Sequence, residues 1–446
     1  MPSSFPRSFQ PILCWAIALG AAAIAYFPAL AAADKAGRTI DQFAEEYSAL
    51  SIPPLTLSYV ENLEALGEPA ALARQREVLT AWQERLRKID ARKLATCDRI
   101  DLAKAVEAVD RGIERAALGL EYLRQAQASV PTQGLHGTPM GQEWYAFYLK
   151  LWLGADIEPD AVFAFGEREI ASARKQHDAL QRKMGFEGDD EGLRRRLAAE
   201  TFVVPDGPEI GALFEAAQKV VRENLRTLFS SDYGVEPAAI RRSDRGAAFA
   251  VPGYYVFDER AFYYNVLSET YDTRQVDWLL LHEETPGHHF QLNALATKNA
   301  CESRLASIRF PAFLEGWGAY AETLGKELGL YLTPESEIAA AEWNLVRSTR
   351  VALDVGLNYY GWSDERALKY WRENVRGQGE IAQREIDRMR RWPAQVVTYK
   401  YGAHVFERLK AELANGAAGV RAYHDFIIRY GDMPLDAFED LARETL

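Results

Sequence analysis

Apolar residues along most of this chain recur every three or four positions, the spacing of a helix that buries one face. The pattern runs from about residue 40 to 127. It is most regular over residues 72–94 and 101–123, where charges occupy the opposite face. Residues 144–153 follow as an apolar helix with several aromatics, and residues 159–183 and 207–229 repeat the helical period. Loops are predicted over residues 130–140, rich in Pro, Gly and Thr, and at an acidic turn around Gly188. One region breaks the pattern. Between Ala247 and Leu267, the runs 248–251, 254–257 and 262–266 are β-branched and aromatic, separated by Pro252-Gly253 and Asp258-Glu259-Arg260. Helical spacing resumes near Thr273 and continues to the end. No repeat and no linker is visible. The expected fold is mainly α, one domain over residues 34–446, with a small β-sheet next to the helix that carries the candidate chemistry and with Phe262 to Val266 as an edge strand that could pair with an extended peptide.

Composition adds little to this picture. The chain is 48% hydrophobic over 446 residues, enough for a large buried core. Its net charge of −12 gives no electrostatic footprint for nucleic acid. The N-terminus adds more. Arg7 precedes an apolar run from Pro11 to Tyr26, and Ala29-Leu30-Ala31 and Ala31-Ala32-Ala33 offer small-x-small cleavage sites. Residues 1–33 are therefore read as a signal peptide directing the chain to the periplasm or outside the cell. Cleavage would leave no segment for stable membrane insertion. An uncleaved membrane anchor is the alternative. Cys14 lacks the small preceding residue expected of a lipid-attachment site. Cys97 and Cys301 remain, to pair in an oxidising compartment or to stay as buried thiols.

The candidate chemistry lies at His282-Glu283-Glu284-Thr285-Pro286-Gly287-His288-His289. Three of the chain's seven histidines fall within these eight residues, beside two glutamates. Imidazole and carboxylate are the ligands zinc takes when thiolate is absent. The preceding run, residues 275–281, reads as a buried helix capped by Asp272 or Thr273. Ending a buried helix on His282 and Glu283 is costly unless a metal or other partners satisfy them. The usual zinc-peptidase spacing puts two histidines four apart on one helical face. Here Pro286 occupies that position. On a straight helix His288 would lie about 120° round from His282, and His289 about 20° round but two turns further on. Pro286 removes the hydrogen bond to the His282 carbonyl, and Gly287 adds freedom, so the helix must kink or bulge. Ideal angles therefore leave His288 and His289 both open as ligands.

The motif His-Glu-x-x-Pro-Gly-His-His-x-Gln, followed by Glu315-Gly316-Trp317 with Tyr320 and Glu322, resembles the bacterial domain of unknown function 885 family. Residues 141–145 and 392–402 also fit its pattern. The resemblance implies a zincin-like helical metallopeptidase, similar in plan to the carboxypeptidase Taq and angiotensin-converting-enzyme groups. Dipeptidyl peptidase III offers a parallel for a lengthened His-to-His spacing. The resemblance further implies one zinc ion held by His282, His288 and Glu315, with Glu283 as general base and short peptides as substrate. Glu322, seven residues after Glu315 and on the same helical face, is expected just outside the ligand set. Tyr399 is a candidate donor to the oxyanion or a plain packing aromatic, Lys400 a candidate partner for a peptide carboxylate, and His289 is open between a substrate contact, a place just outside the ligands and packing. Glu284 is read as a surface carboxylate or one just outside the ligands, with no assigned role. Trp317 and Tyr320 are read as core. The segment 350–358 resembles a family stretch that usually ends in histidine, but this chain has Asn358, which cannot titrate near neutral pH. Two other function classes stand beside the peptidase: a zinc hydrolase of non-peptide amides, and an inactive peptide-binding protein.

Overall fold

The computed structural model describes residues 20–125, 130–245, 251–298 and 300–446. Arg7, Cys14 and the start of the apolar run lie outside them, as do residues 248–250 of the first expected strand. A helix spans Gly20–Ala49, through both expected cleavage sites. Among the described residues no helix is long and apolar enough to cross a membrane.

The chain is mainly helical, as its periodicity implies. Helices occupy Thr96–Gln125, Gly141–Leu153, Pro159–Lys183 and Pro208–Asn224. The expected helix over 72–94 is instead Pro69–Leu86, followed by a 3₁₀ turn at Ala91–Lys93. Asp90 explains the restart, because its carboxylate accepts the Arg92 N–H at 3.2 Å. The long Thr96–Gln125 helix serves two cores. Ile100 and Tyr122 join the main core, whereas Leu102, Ala105 and Val109 pack with Ile40, Phe43 and Trp82. Cys97, near the start of this helix, forms a disulfide with Cys301. Arg304 holds the same connection by pairing with Asp41, Asp98 and Asp101.

Two helix pairs build the frame of the site. Pro159–Lys183 packs along Pro334–Asn358, and Pro311–Ala321 along Val397–Leu413. The second pair crosses at Gly316 and Gly402. A Cβ on Gly316 would stand 2.5 Å from the Gly402 Cα, and one on Gly402 would stand 2.1 Å from the Ala312 carbonyl oxygen. Only glycine lets these two backbones meet.

The sheet differs from expectation in one respect. Ala239–Arg242 pairs parallel with Ala261–Tyr264, which pairs antiparallel with Gly253–Val256. The run expected as an edge strand, Phe262 to Val266, therefore falls on the central strand and has no free edge for a peptide. The strand at Ala239–Arg242 was hidden because two of its four residues are exposed arginines. A second, two-stranded sheet joins Val203–Pro205 to Thr270–Asp272. Three residues are too few to show a period.

Candidate metal centre

The site starts at a helix that ends abruptly. Asp272 accepts the Arg274 N–H at 3.0 Å and opens a 3₁₀ turn that leads into the Val276–Glu283 helix. Trp278, Leu279, Leu280 and Leu281 are buried on all sides of this helix. It does not kink at Pro286; it stops at Glu283, and a new helix begins at His288 and runs to Lys298. The Thr285-Pro286 peptide is cis, and the Pro286 carbonyl accepts the Trp317 indole N–H at 2.7 Å. Gly287 folds back so closely that a Cβ there would stand 1.9 Å from the His282 carbonyl oxygen. This tight return brings His288 beside His282, with ring centroids 4.8 Å apart and planes at 82°.

Glu315 completes the cluster from the Pro311–Ala321 helix. One of its oxygens lies 3.7 Å from His282 Nε2 and 3.4 Å from His288 Nε2. One ligand atom from each of the three residues lies within 4.8 Å of the other two. Two ligands at zinc-like bond lengths in a tetrahedral arrangement would stand about 3.4 Å apart. The contacts are long for hydrogen bonds and suited to a cation between the three groups. His282, His288 and Glu315 can therefore hold a metal ion.

The surroundings prepare His282 for that role. Glu322 takes the other ring nitrogen, its carboxylate 2.7 Å from Nδ1, and Arg347 donates to its second oxygen at 2.6 Å. Nδ1 so held leaves Nε2 facing Glu315, the carboxylate–histidine arrangement that orients metal-binding imidazoles. Burial disfavours the imidazolium, but Glu315 and Glu322 on either side push His282 up to about 9. Burial likewise opposes charge on Glu315, yet the two imidazoles hold its carboxylate well below the usual range. Glu283, next to the ligands, has its carboxyl pushed up by burial, partly offset by His282 and His288.

Tyr399, on the Val397–Leu413 helix, stacks over His282 with centroids 6.0 Å apart. Its hydroxyl accepts N–H groups from Arg388 and Gln395, each at 3.3 Å, which leaves its own proton to donate. Burial and the nearby Glu315 keep the phenol protonated by raising its pKa. His282, Glu283, Arg388 and Tyr399 line a cavity of about 80 Å³ that also reaches Pro252 and Gly253.

Four expected residues sit elsewhere. His289 faces the sheet: Nε2 is 2.7 Å from the Glu236 carbonyl oxygen and Nδ1 3.1 Å from the Tyr255 hydroxyl. Glu284 is no surface carboxylate. It is fully buried and accepts the Ala238 N–H and the Gln218 amide, which ties the broken helix to the strand region. Lys400 is buried against Glu169 at 3.1 Å and Asn344 at 2.9 Å. Asn358 clamps backbone, donating to the Met389 carbonyl at 3.0 Å and accepting from Leu135 N at 3.4 Å. Tyr320 and Trp317 are core, with the Tyr320 hydroxyl 2.7 Å from His424 Nε2. Arg347, Arg350 and Arg388 border the cavity without having been among the expected residues. The first two carried a signal, since they interrupt the apolar run from Leu345 to Leu357. Arg388 carried none, because its helix Ala382–Arg391 has four arginines and two acids, and one arginine among them reads as part of a solvated face.

Comparison with known proteins agrees with the motif. The family model "Bacterial protein of unknown function (DUF885)" matches residues 115–441. A crystal structure described as a "putative lipoprotein" from Colwellia psychrerythraea is similar with a TM-score of 0.61 at 19% identity, covering 86% of this chain and 69% of that one. A "putative lipoprotein of unknown function" from Shewanella oneidensis is similar with a TM-score of 0.54 at 16% identity, covering 85% and 73%. No curated protein matches. The two structures share the fold, and the disulfide points to an extracytoplasmic protein. On the family match over residues 115–441, the chain belongs to the bacterial family of unknown function DUF885.

Proposed function

We propose that the protein is an exported zinc-dependent peptidase that hydrolyses peptide bonds in short peptides. The observation that carries this reading is the convergence of His282, His288 and Glu315, with Glu283 next to His282 and both of these lining one cavity. Two imidazoles and one carboxylate leave a fourth position open, as catalytic zinc sites do. A zinc ion held there supplies a Lewis acid and lowers the pKa of the attacking water to about 7.

The chain's own groups divide the remaining work. Glu283 takes a proton from the water as its oxygen bonds to the carbonyl carbon. It then passes that proton to the amine nitrogen as the C–N bond breaks, leaving a carboxylate and an amine. A carboxyl raised by burial suits both transfers. Tyr399 donates its O–H to the developing oxyanion, a contact worth ~10²–10³ in rate in comparable sites. Glu322 and Arg347 keep the His282 ring in place throughout. An extended substrate would lie along Gly253–Val256, an edge strand among those described, whose first residue lines the cavity. The zincin-like plan and the signal peptide belong to the same reading. The narrowness of the cleft supports short peptides.

The test is digestion of a peptide mixture, read by mass spectrometry, with wild type and Glu283→Gln. Wild-type protein loaded with zinc is expected to cleave. The variant is expected to bind zinc normally and lose at least ~10²-fold in rate. Equal cleavage by both would remove Glu283 from the mechanism. No cleavage of any peptide by either, with peptides still bound, would favour a binding protein.

A further inference from the structure

The cleft beside the metal ligands is lined by more cations than its own carboxylates match. Arg347, Arg350, Arg384 and Arg388 all border it. Arg347 is taken by Glu322 at 2.6 Å, and Arg350 by Glu385 at 2.8 Å. Arg384 reaches the second oxygen of Glu385 only at 3.8 Å. Arg388 is different. Its guanidinium contacts neutral groups, the Gln395 amide oxygen at 2.8 Å and the Tyr399 hydroxyl at 3.3 Å. Among the described residues no carboxylate lies within ion-pair distance of it, and its Nε is buried with no hydrogen-bond partner. Glu385 and Glu315 favour its charge only from a distance, and an arginine that cannot lose its proton, bordering a cavity with one buried donor unmet, is costly unless an anion completes it.

We infer that Arg388, supported by Arg384, forms a carboxylate-binding pocket, so that the substrate carries a free carboxylate near the bond presented to the metal group. The planar guanidinium matches a carboxylate in two-point contact. The position fits a substrate: Arg388 touches the Tyr399 hydroxyl, and the Tyr399 ring lies over His282, so anion and metal ligands are about one phenol ring apart. Lys400, which from sequence was the candidate for this role, is spent on Glu169. The inference rests on the peptidase reading for the word substrate, but the pocket itself can be tested by binding alone.

The carboxylate could be a peptide's C-terminus or an acidic side chain. The experiment uses full-length zinc-loaded protein with Glu283→Gln, so that nothing turns over. Calorimetry compares N-acetylated tripeptides ending in Ala, Leu, Phe or Arg, each as free acid and as amide, and an amide ending in Glu. At least a tenfold preference for free acids is expected, or for the Glu side chain if that is the source. Adding Arg388→Gln should erase the preference and leave amide affinity within about twofold. Arg384→Gln, at a more exposed position, should reduce it should the first variant fail to fold. Equal binding of acid and amide, a preference that survives Arg388→Gln in folded protein, or no binding of any probe would overturn the pocket. If Arg388 only positions Tyr399, cleavage by the Glu283-intact enzyme falls equally for acid and amide, which also overturns it. A carboxylate preference without hydrolysis by wild type leaves the pocket standing and removes the peptidase. Hydrolysis without the preference does the reverse.

Discussion

His282 is held on both sides of its ring. It stands between Glu315 and Glu322, and in the metal-free protein those carboxylates hold its proton to about pH 9. A histidine pKa raised above its ordinary 6.5 stabilises the metal-free fold fully below pH 6.5, and that contribution disappears as pH climbs through 9. A metal must displace the same proton. Zinc binding at pH 7 is therefore expected to release about one proton per ion from His282, and affinity to rise about tenfold per pH unit toward pH 9. Calorimetry in buffers of different ionisation enthalpy measures this. Replacing Glu322 with Gln should shrink the proton release and weaken zinc binding by roughly 10–100-fold. Unchanged release would show that Glu322 does not hold the proton. At this scale much of the site was legible. His282, Glu283, His288, Glu315, Glu322 and Tyr399 come together as their motif implied. The arginines were not legible, because whether a basic residue meets solvent or a cleft depends on the packing of distant helices.

Elements position these residues through two backbone devices. The first is the broken helix, in which Gly287 lets the chain return onto the His282 carbonyl and deliver His288. Pro286 in the expected ligand position signalled the break, though not its form, since a kink and a full stop leave the same residues in sequence. The second device is the Gly316–Gly402 crossing, which carries Glu315 on one helix and Tyr399 on the other. A methyl added at Gly316 would meet backbone, which cannot rotate aside, so the helices must part. Gly316→Ala is expected to cost about 1–3 kcal/mol in stability. It should also weaken zinc binding more than an equally destabilising change far from the site. Thermal melting and zinc titration on the same sample check both, and intact zinc affinity would show that the crossing is not what sets Glu315. Long helices were readable from their period. The short strands were not, and the central strand was taken for an edge because its partner at Ala239–Arg242 is too charged and short to announce itself.

The whole molecule depends on a link that no local pattern could reveal. Cys97 and Cys301 are separated by 204 positions, yet their bond ties the Thr96–Gln125 helix to the segment between the His288 helix and the Glu315 helix. In the chain-entropy account, closing a loop of that length contributes up to ~5 kcal/mol. Reduction, or replacement of both cysteines by serine, is expected to lower stability by roughly 3–5 kcal/mol. Zinc affinity of the folded protein should stay the same, because none of the metal group's contacts runs through the bond. A denaturant titration with and without reductant measures the first, and zinc titration the second. No loss on reduction would mean that Arg304 and its three aspartates hold the connection alone. The same bond belongs with export, since it would not persist in a reducing cytoplasm.

The proposed chemistry requires the metal. The most direct measurement is elemental analysis of purified wild-type protein beside His288→Ala, with folding of both verified by circular dichroism. About one zinc per chain in wild type, lost in the variant, is the predicted result. Stoichiometric zinc retained by His288→Ala, or a wild-type protein that takes up no metal when zinc is supplied, would contradict it.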